Sequence, residues 1–339
     1  MSTKSPNSPT CLVLYSGGLD SIIACKILQE QGIHVIALCF ITPFFGYKLK
    51  SRKNTSKKKV LADHGIQFEE IDISDAYLKM VKNPKHGYGK YMNPCIDCKI
   101  LMVQNAIKRL GELNASFVAT GDILGQRPMS QRRDALRIIE RDSGADGLLL
   151  RPLSALHLPA TDIENKGLVD RSRLLGLSGR GRKDQIVLAG RYGIKEYPAP
   201  AGGCVLADPI LSQRLKRMFD LWPELDVNDC VLAQIGRHFF LPGGSWLVIG
   251  RDEKENAKII SLIRKGDIKL DLARVPGPTG LWRKVNTGAY TDIAASILCR
   301  YTKVKKHPEE VKLSSHGTEK IKIIRTLPAS DDTINRYRM

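Results

Sequence analysis

The segment Ser16–Ser21, which reads Ser-Gly-Gly-Leu-Asp-Ser, separates a short apolar run from a helical pattern near the N-terminus. The apolar run Cys11–Tyr15 predicts a buried strand, and the pattern of Ser21–Gln31 predicts the helix that follows. Gly17 and Gly18 allow the backbone to turn sharply and to approach an anion without interference from a Cβ atom. Because backbone amides at the start of a helix point outward with the positive end of its dipole, the segment predicts a phosphate site.

Three side chains of this segment add to that chemistry. The hydroxyls of Ser16 and Ser21 are hydrogen-bond donors, and the carboxylate of Asp20 is placed to hold Mg²⁺ beside phosphates. The segment resembles the pyrophosphate loop, SGGxDS, of the ATP pyrophosphatases. The resemblance implies that ATP is cleaved between its α and β phosphates, that a substrate oxygen is adenylated, and that pyrophosphate is released. An ordinary glycine-rich turn is the alternative interpretation.

The charge of the chain favours a nucleic-acid partner. Of 339 residues, 53 are lysine or arginine and 35 are aspartate or glutamate, which gives a net charge of +18. Such an excess suits the neutralisation of phosphates, although a solubilising surface is the simpler alternative. The basic residues concentrate in three stretches, 48–59, 171–195 and 300–325. No apolar run is long enough to cross a membrane, so we expect a cytoplasmic protein without membrane contact.

Strand and helix patterns alternate along the first 210 residues. This alternation predicts an α/β fold of Rossmann type, a parallel sheet with helices on both faces, plus a smaller α+β C-terminal domain. We expect a polar tail over 1–10, an ATP pyrophosphatase domain over 11–210, and the α+β domain over 211–339. The predicted strands are 11–15, 35–40, 68–73, 117–120 and 148–153, and helices are predicted over 99–113 and 252–265. Ligands of such sheets bind at the carboxyl ends of the strands.

Three of the eight cysteines are candidates for chemistry. Cys95 and Cys98 form a C-x-x-C immediately before a predicted helix, and Cys204 follows two glycines. A helix N-terminus and nearby lysines predict lowered thiol pKa values. Three interpretations stay open at this point: an iron–sulfur cluster with one iron left free, a persulfide resolved by a second cysteine, and a zinc site with His86 as fourth ligand or inert thiols. The remaining cysteines are predicted to be core residues: Cys11, Cys25, Cys39, Cys230 and Cys299.

Two further segments carry a family resemblance. Asn93–Cys98, which reads Asn-Pro-Cys-Ile-Asp-Cys, resembles the corresponding segment of the tRNA 2-thiouridylases. Thr120–Gln126, followed by Ser130 and Gln131, is similar to the Thr-Gly-Glu-x-Leu-Gly-Gln segment of the tRNA 4-thiouridine synthetases. Together with the pyrophosphate loop and Cys204, these motifs cover most of residues 10–210.

The resemblance implies an ATP-dependent tRNA sulfurtransferase. A uridine carbonyl oxygen receives AMP, and a sulfur nucleophile then displaces it. Gly121 and Asp122 would contact the nucleotide or the activated base, and Cys95, Cys98 and Cys204 would hold a [4Fe–4S] cluster, which we favour over a persulfide. The implied partners are ATP, Mg²⁺, tRNA and a sulfur donor, which is a cysteine desulfurase, a sulfur carrier or inorganic sulfide.

The C-terminal part of the chain has a weaker signal. Residues 239–250 predict a β-hairpin with a Pro-Gly-Gly turn. Gly236–Phe239 and Val248–Arg251 make residues 230–275 similar to a small RNA-binding module of ribosome-associated quality-control factors. Phe240 and Trp246 are predicted to serve a core rather than to stack on bases.

Two rival functions are weighed against tRNA thiolation. The first is an ATP pyrophosphatase that acts on a small molecule, against which the basic excess and the three cysteines argue. The second is an RNA-binding protein with a vestigial nucleotide site, against which the intact loop argues. Arg180, Arg182 and Lys183 are predicted to contact RNA phosphates or ATP, or else to be a solvated helix start.

Overall fold

The computed structural model describes residues 8–46, 56–197, 204–285, 290–302, 307–317 and 320–339. By its internal contacts the chain divides into two compact units, Met1–Pro209 and Ile210–Met339. Most of the predicted polar tail, most of the basic stretch 48–59 and the glycines before Cys204 lie outside the described residues.

A five-stranded parallel sheet is the centre of the first unit. Its strands are β1 (Thr10–Leu14), β2 (His34–Ile41), β3 (Gln67–Asp72), β4 (Phe117–Thr120) and β5 (Leu149–Leu150), in the order β3-β2-β1-β4-β5. Its helices are α1 (Leu19–Glu30), α2 (Ser56–Asp63), α3 (Ser74–Lys82), α4 (Cys95–Ile107), α5 (Arg133–Ser143), α6 (Asp162–Asn165) and α7 (Lys183–Arg191). The predicted parallel α/β fold is confirmed.

The burial of strand residues shows that this sheet is covered on both faces. Every residue of β1 is buried, and successive side chains of a strand point to opposite faces. Cys11 and Val13 join the core that α1 contributes to, whereas Leu12 and Leu14 lie on the opposite face, and α4 packs against β1 and β4. The loops that leave the carboxyl ends of β1, β2 and β4 therefore stand at one edge of the sheet.

Three predicted elements have the wrong boundaries. The helix predicted over 99–113 begins four residues earlier, at Cys95, and ends at Ile107, after which turns run to Asn114. The strand predicted over 148–153 is confined to Leu149–Leu150, because Pro152 has no N–H to continue a ladder. The helix predicted over 252–265 spans Glu253–Ile260, with Asp252 as its N-cap.

The second unit is built on a six-stranded antiparallel sheet. Its strands are β6 (Arg237–Leu241), β7 (Ser245–Ile249), β8 (Ile268–Leu272), β9 (Gly280–Arg283), β10 (Glu309–Ser315) and β11 (Ile321–Thr326), in the order β11-β10-β8-β9-β7-β6. Its helices are α8 (Pro209–Leu221), α9 (Val227–Leu232), α10 (Glu253–Ile260), α11 (Thr291–Arg300) and α12 (Asp331–Tyr337).

The predicted β-hairpin is confirmed, with Pro242–Gly244 as the turn between β6 and β7. Phe240 and Trp246 are buried and pack around Trp222, so their predicted role in a core is also confirmed. Within the described ranges, none of the helices has both the length and the apolar character that a bilayer crossing requires.

Candidate active site

The loop Ser16–Ser21 is held in shape by its own hydrogen bonds. The Ser16 Oγ accepts from the Gly18 N–H at 3.2 Å, and the Ser21 Oγ donates to the Gly18 carbonyl at 2.7 Å. Gly17 has φ +83°, a conformation that favours glycine. Because Gly18 is the N-cap of α1 and has no side chain to cap the helix, the first amides of α1 are left for a ligand. This arrangement is that of an anion site at a helix N-terminus.

Gly121 is required by the backbone that it touches. A Cβ atom at this position would stand 2.7 Å from the carbonyl carbon and oxygen of Asp20 and from the Ser21 nitrogen. Only glycine allows the end of β4 to pack directly on the pyrophosphate loop. Gly121 therefore positions the loop, whichever ligand the loop binds.

Asp122 is an anchor inside the protein. Its Oδ1 accepts from Lys99 Nζ at 2.9 Å and from Gln131 Nε2 at 2.8 Å, and its Oδ2 accepts from Thr120 Oγ1 at 2.9 Å. Burial raises the pKa of Asp122, but Lys99 and Gln131 outweigh burial, so the pKa lies below its usual value. The charged carboxylate thus ties α4 to the end of β4, and both of its oxygens have protein partners.

Asp20 is the carboxylate that remains available to a cation. Its Oδ1 is buried and has no hydrogen-bond partner in the described part of the chain. Burial raises the pKa of Asp20, while a hydrogen bond from Gln126 and the charges of Arg182 and Arg127 oppose that rise. A buried carboxylate oxygen without a partner, next to a phosphate-binding loop, fits Mg²⁺, which commonly takes one carboxylate plus phosphate oxygens.

Two arginines come to the loop from different parts of the sequence. Arg182 stands at the N-cap of α7, in a segment whose Gly179 N–H donates to the Leu124 carbonyl at 2.7 Å. Arg127 lies in the segment after β4, three residues beyond Leu124. Arg182 is one of the basic residues that the sequence singled out, whereas Arg127 was missed. Its position directly after the Gly125-Gln126 end of the family motif was the available signal.

The structure brings Cys95, Cys98 and Cys204 to one place. Cys95 and Cys98 lie in the first turn of α4, and Cys204 precedes the short 3₁₀ turn Val205–Ala207. The Met92 N–H donates to the Leu206 carbonyl at 3.2 Å, which connects the two segments. An ionised Cys204 or Cys95 raises the pKa of Cys98, and an ionised Cys95 raises the pKa of Cys204, so the three thiols share one site.

The thiol pKa values contradict the prediction from the helix N-terminus. Burial raises the pKa of Cys98 to about 12 and also raises those of Cys95 and Cys204, and it outweighs the opposing charge of Lys99 on Cys95 and Cys98. Desolvation is therefore stronger here than the helix N-terminus and the nearby lysine. Without a ligand, the three sulfurs are protonated thiols at neutral pH.

A buried tyrosine completes the thiol site. Tyr77 is fully buried on α3, and its pKa is raised by burial and by the thiols of Cys98, Cys204 and Cys95. Its hydroxyl interacts with Cys98, and it has no hydrogen bond of standard geometry within the described residues. No sequence motif pointed to Tyr77, because only the packing of α3 against α4 places it there.

His86, the predicted fourth ligand of a zinc site, has other partners. Its Nε2 lies 3.0 Å from Asp142 Oδ2, and its backbone N–H donates to Asp97. Over the ranges that the structure describes, no group of three or more histidine, cysteine, aspartate or glutamate side chains has the arrangement of a metal site. The other five cysteines are buried core residues, as predicted.

Family models match both units. Residues 7–165 match the model of the thiamine biosynthesis protein ThiI, and residues 236–338 match that of the NFACT protein RNA binding domain. Most of the first unit is therefore similar to that family. The second match confirms the predicted similarity to an RNA-binding module and extends it well beyond residue 275.

Curated relatives are tRNA-modifying enzymes by name. The tRNA-specific 2-thiouridylase MnmA of Dehalococcoides mccartyi is 31% identical over 124 residues, 34% of each chain. The probable tRNA sulfurtransferase of Thermococcus kodakarensis is 29% identical over 171 residues, 49% of this chain and 40% of that one. The chain spans about a third to a half of the length of the first curated relatives that it matches.

Among solved structures, U34-tRNA thiolase NcsA from Methanococcus maripaludis, described with its [4Fe-4S] cluster, matches at 18% identity. That match covers 67% of this chain and 71% of the other, with a TM-score of 0.35. This structural likeness is too low to support an argument about function.

Proposed function

We propose that this chain is an ATP-dependent tRNA sulfurtransferase, in which the pyrophosphate loop and the three thiols act in sequence on one uridine. The observation that carries the proposal is a chain of contacts from the pyrophosphate loop to the helix of the cysteines. Gly121 packs on Asp20 and Ser21 of the loop, and Asp122 accepts from Lys99 of α4, whose first turn holds Cys95 and Cys98. A nucleotide at the loop would therefore have its reacting end close to the sulfurs.

In the first step, the loop amides and the hydroxyls of Ser16 and Ser21 bind the phosphates of ATP. Asp20 holds Mg²⁺ through its unpartnered oxygen, while Arg127 and Arg182 balance the negative charge. The uridine carbonyl oxygen attacks the α-phosphorus, an O–P bond forms, and the bond to the β-phosphate oxygen breaks. Pyrophosphate leaves with its charge stabilised by the loop and the cation.

In the second step, a sulfur nucleophile attacks the ring carbon that bears the adenylated oxygen. A C–S bond forms, the C–O bond breaks, and AMP departs with the original carbonyl oxygen. Cys95, Cys98 and Cys204 would hold a [4Fe–4S] cluster, because three cysteine thiols are ligands of the type that such clusters use, and they would move into the arrangement of a metal site when the cluster binds. The bound cluster supplies an iron that is not ligated by the protein and can carry the sulfur. Tyr77 would orient Cys98 at the bottom of this site.

The substrate follows from charge and from the second unit. The net charge of +18 suits an RNA backbone, and residues 236–338 match an RNA-binding domain model. Several curated relatives are named for tRNA thiolation, which supports tRNA as the RNA. A sulfur donor, either sulfide or a protein that delivers it, completes the reaction in the cytoplasm.

Mass spectrometry of tRNA nucleosides tests this proposal. Deleting the gene should remove one thiolated nucleoside from bulk tRNA, and the intact chain should restore it. Cys204→Ala should fail to restore it, whereas Cys299→Ala, which removes a thiol from the core of the second unit, should succeed. An unchanged set of thiolated nucleosides after deletion would contradict the proposal. Thiolation of the tRNA by an oxygen-exposed, iron-free protein would instead favour a persulfide on one of the cysteines.

A further inference from the structure

Tyr91 has a backbone conformation that its side chain disfavours. Its φ is +60°, in the left-handed region, yet 45% of the residue is exposed to solvent. Bulky residues avoid this region, and where they adopt it the strain is commonly found at functional sites. The same loop uses glycine at Gly87, where φ is +72°. A tyrosine at the next such position therefore costs stability that a glycine would not.

The surroundings hold the backbone of Tyr91 in place. We define the 85–91 loop as Lys85–Tyr91. Its start is fixed by Asp97, whose carboxylate accepts the N–H groups of Lys85 and His86 at 3.1 and 3.0 Å. Its end is fixed by the Gly89 N–H, which donates to the Asn93 carbonyl at 2.9 Å. The ring of Tyr91 is thus displayed from a built loop.

This loop ends at the rim of the thiol site. Directly after Tyr91, the Met92 N–H donates to Leu206 in the Cys204 segment, and the Asn93 Nδ2 lies 3.4 Å from the Cys95 Sγ. The two residues that follow Tyr91 therefore connect the loop to both cysteine segments. A group stacked on Tyr91 would therefore be bound to a loop that is hydrogen-bonded to both cysteine segments.

The two exposed tyrosines of the loop differ in a useful way. The Tyr88 hydroxyl donates to the Val81 carbonyl at 2.6 Å, which anchors that ring to α3. At the Tyr91 ring, Lys90 Nζ lies 5.4 Å from the ring centroid. An exposed ring beside a lysine matches the way in which proteins bind unpaired nucleotides, by stacking a base and neutralising its phosphate.

We propose that Tyr91 is a stacking platform for an unpaired base of the RNA substrate, beside Cys95 and Cys204. This inference rests on the proposed function, since it assigns part of the RNA site of the same reaction. Lys90 would contact the phosphate of the stacked nucleotide. The strained backbone exposes the ring on a loop that is tied to both cysteine segments, which explains why tyrosine rather than glycine stands at this position.

The experiment uses the full chain and an oligouridylate that carries one 5-iodouridine. Binding is measured by fluorescence anisotropy, and photocrosslinked peptides are identified by mass spectrometry. Tyr91→Ala and Tyr91→Gly should each reduce crosslinking to the 85–91 loop by about 5- to 50-fold. Tyr91→Phe, which keeps the ring, and Tyr88→Phe, which removes only the anchoring hydroxyl, should remain within about twofold of wild type.

Thermal unfolding separates binding from folding. Tyr91→Gly should unfold at the same temperature as wild type or a higher one, because glycine adopts positive φ without strain. A crosslink that persists in Tyr91→Gly, or a large fall in its unfolding temperature, would overturn the inference. Thiolation by wild type is measured in parallel. If wild type crosslinks at Tyr91 and forms no thiolated tRNA, the proposed function fails while the stacking site stands.

Discussion

The pyrophosphate loop and the thiol site, the two halves of the candidate active site, differ in how far each is formed before a ligand binds. The pyrophosphate loop is already shaped by hydrogen bonds among Ser16, Gly18 and Ser21, and Gly121 supports it from behind. In the thiol site, Cys95, Cys98 and Cys204 lie near one another without the arrangement of a metal site, and burial keeps the thiols protonated. An anion site at a helix start is thus largely formed before its ligand binds, whereas a metal site of three cysteines would reach its final arrangement only with the metal bound.

The largest expected effect separates the two halves. Cys204→Ala should reduce sulfur incorporation into tRNA to background, since a required sulfur ligand is lost. Release of pyrophosphate from ATP in the presence of tRNA should continue, because the loop is untouched. Both products are measured in one anoxic reaction, with Cys299→Ala as the matched control. Loss of pyrophosphate release together with sulfur transfer would show that the halves are not separable.

The converse change is Asp20→Asn, which removes the charge of the unpartnered carboxylate. We expect kcat/KM for ATP to fall by about 100-fold, because the cation loses its protein ligand beside the phosphates. Iron content after anoxic reconstitution should be unchanged. Asp134→Asn, at an exposed aspartate paired with Arg132, is the control and should keep full activity. Unchanged ATP kinetics in Asp20→Asn would exclude the magnesium role.

Gly121→Ala tests the support of the loop. The added methyl would meet the backbone of Asp20 and Ser21 at 2.7 Å, so we expect a loss of about 1–3 kcal/mol in the free energy of unfolding. Gly181→Ala is the matched control, because a Cβ atom there meets nothing within 4 Å and its φ is not positive. Urea titrations of both variants measure the difference. Equal stabilities would contradict the close approach of β4 to the loop.

The thiol site should show a pH dependence of opposite sign to that of a carboxylate. The folded pKa of Cys98 is about 12, against an ordinary value of 9.0, so the unfolded chain ionises first as pH rises. Stability contributed by this thiol is full below pH 9 and is lost between about pH 9 and 12. In metal-free protein, Cys98→Ala should therefore flatten the decline in unfolding free energy over this range. An equally steep decline in the variant would contradict the raised pKa.

Tyr77→Phe should have the smallest effect and reports on position. The Tyr77 hydroxyl favours the thiolate of Cys98, and its removal should raise the pKa of that thiol further. Iodoacetamide labelling of Cys98 at pH 9.5 should slow by a few-fold, because a smaller fraction of this thiol is ionised. Tyr301→Phe, in the second unit, should leave the labelling rate unchanged. An unaltered rate in Tyr77→Phe would remove this tyrosine from the site.

The parts of the site that the sequence predicted are those encoded locally. Strand, glycine loop and helix follow one another in Ser16–Ser21, so their geometry follows from short-range rules. The C-x-x-C motif predicted that Cys95 and Cys98 lie at the start of a helix. Their pKa values were predicted to be lowered, whereas burial raises them. Tyr77 and Arg127 escaped prediction because their roles arise from packing between elements distant in sequence. Asp122 was predicted to contact a ligand, which stays a prediction, and its partners Lys99, Gln131 and Thr120 come from packing that the sequence did not indicate.

The central claim is that one ATP is split at the loop for each sulfur that the thiol site delivers to a uridine. The direct measurement is a single-turnover reaction of anoxically reconstituted protein with tRNA, ATP, Mg²⁺ and isotopically labelled sulfide. Pyrophosphate is quantified, and labelled thiouridine is determined by mass spectrometry of the digested tRNA. We expect equal amounts of pyrophosphate and labelled thiouridine. Pyrophosphate release without labelled thiouridine, or labelling that does not require ATP, would contradict it.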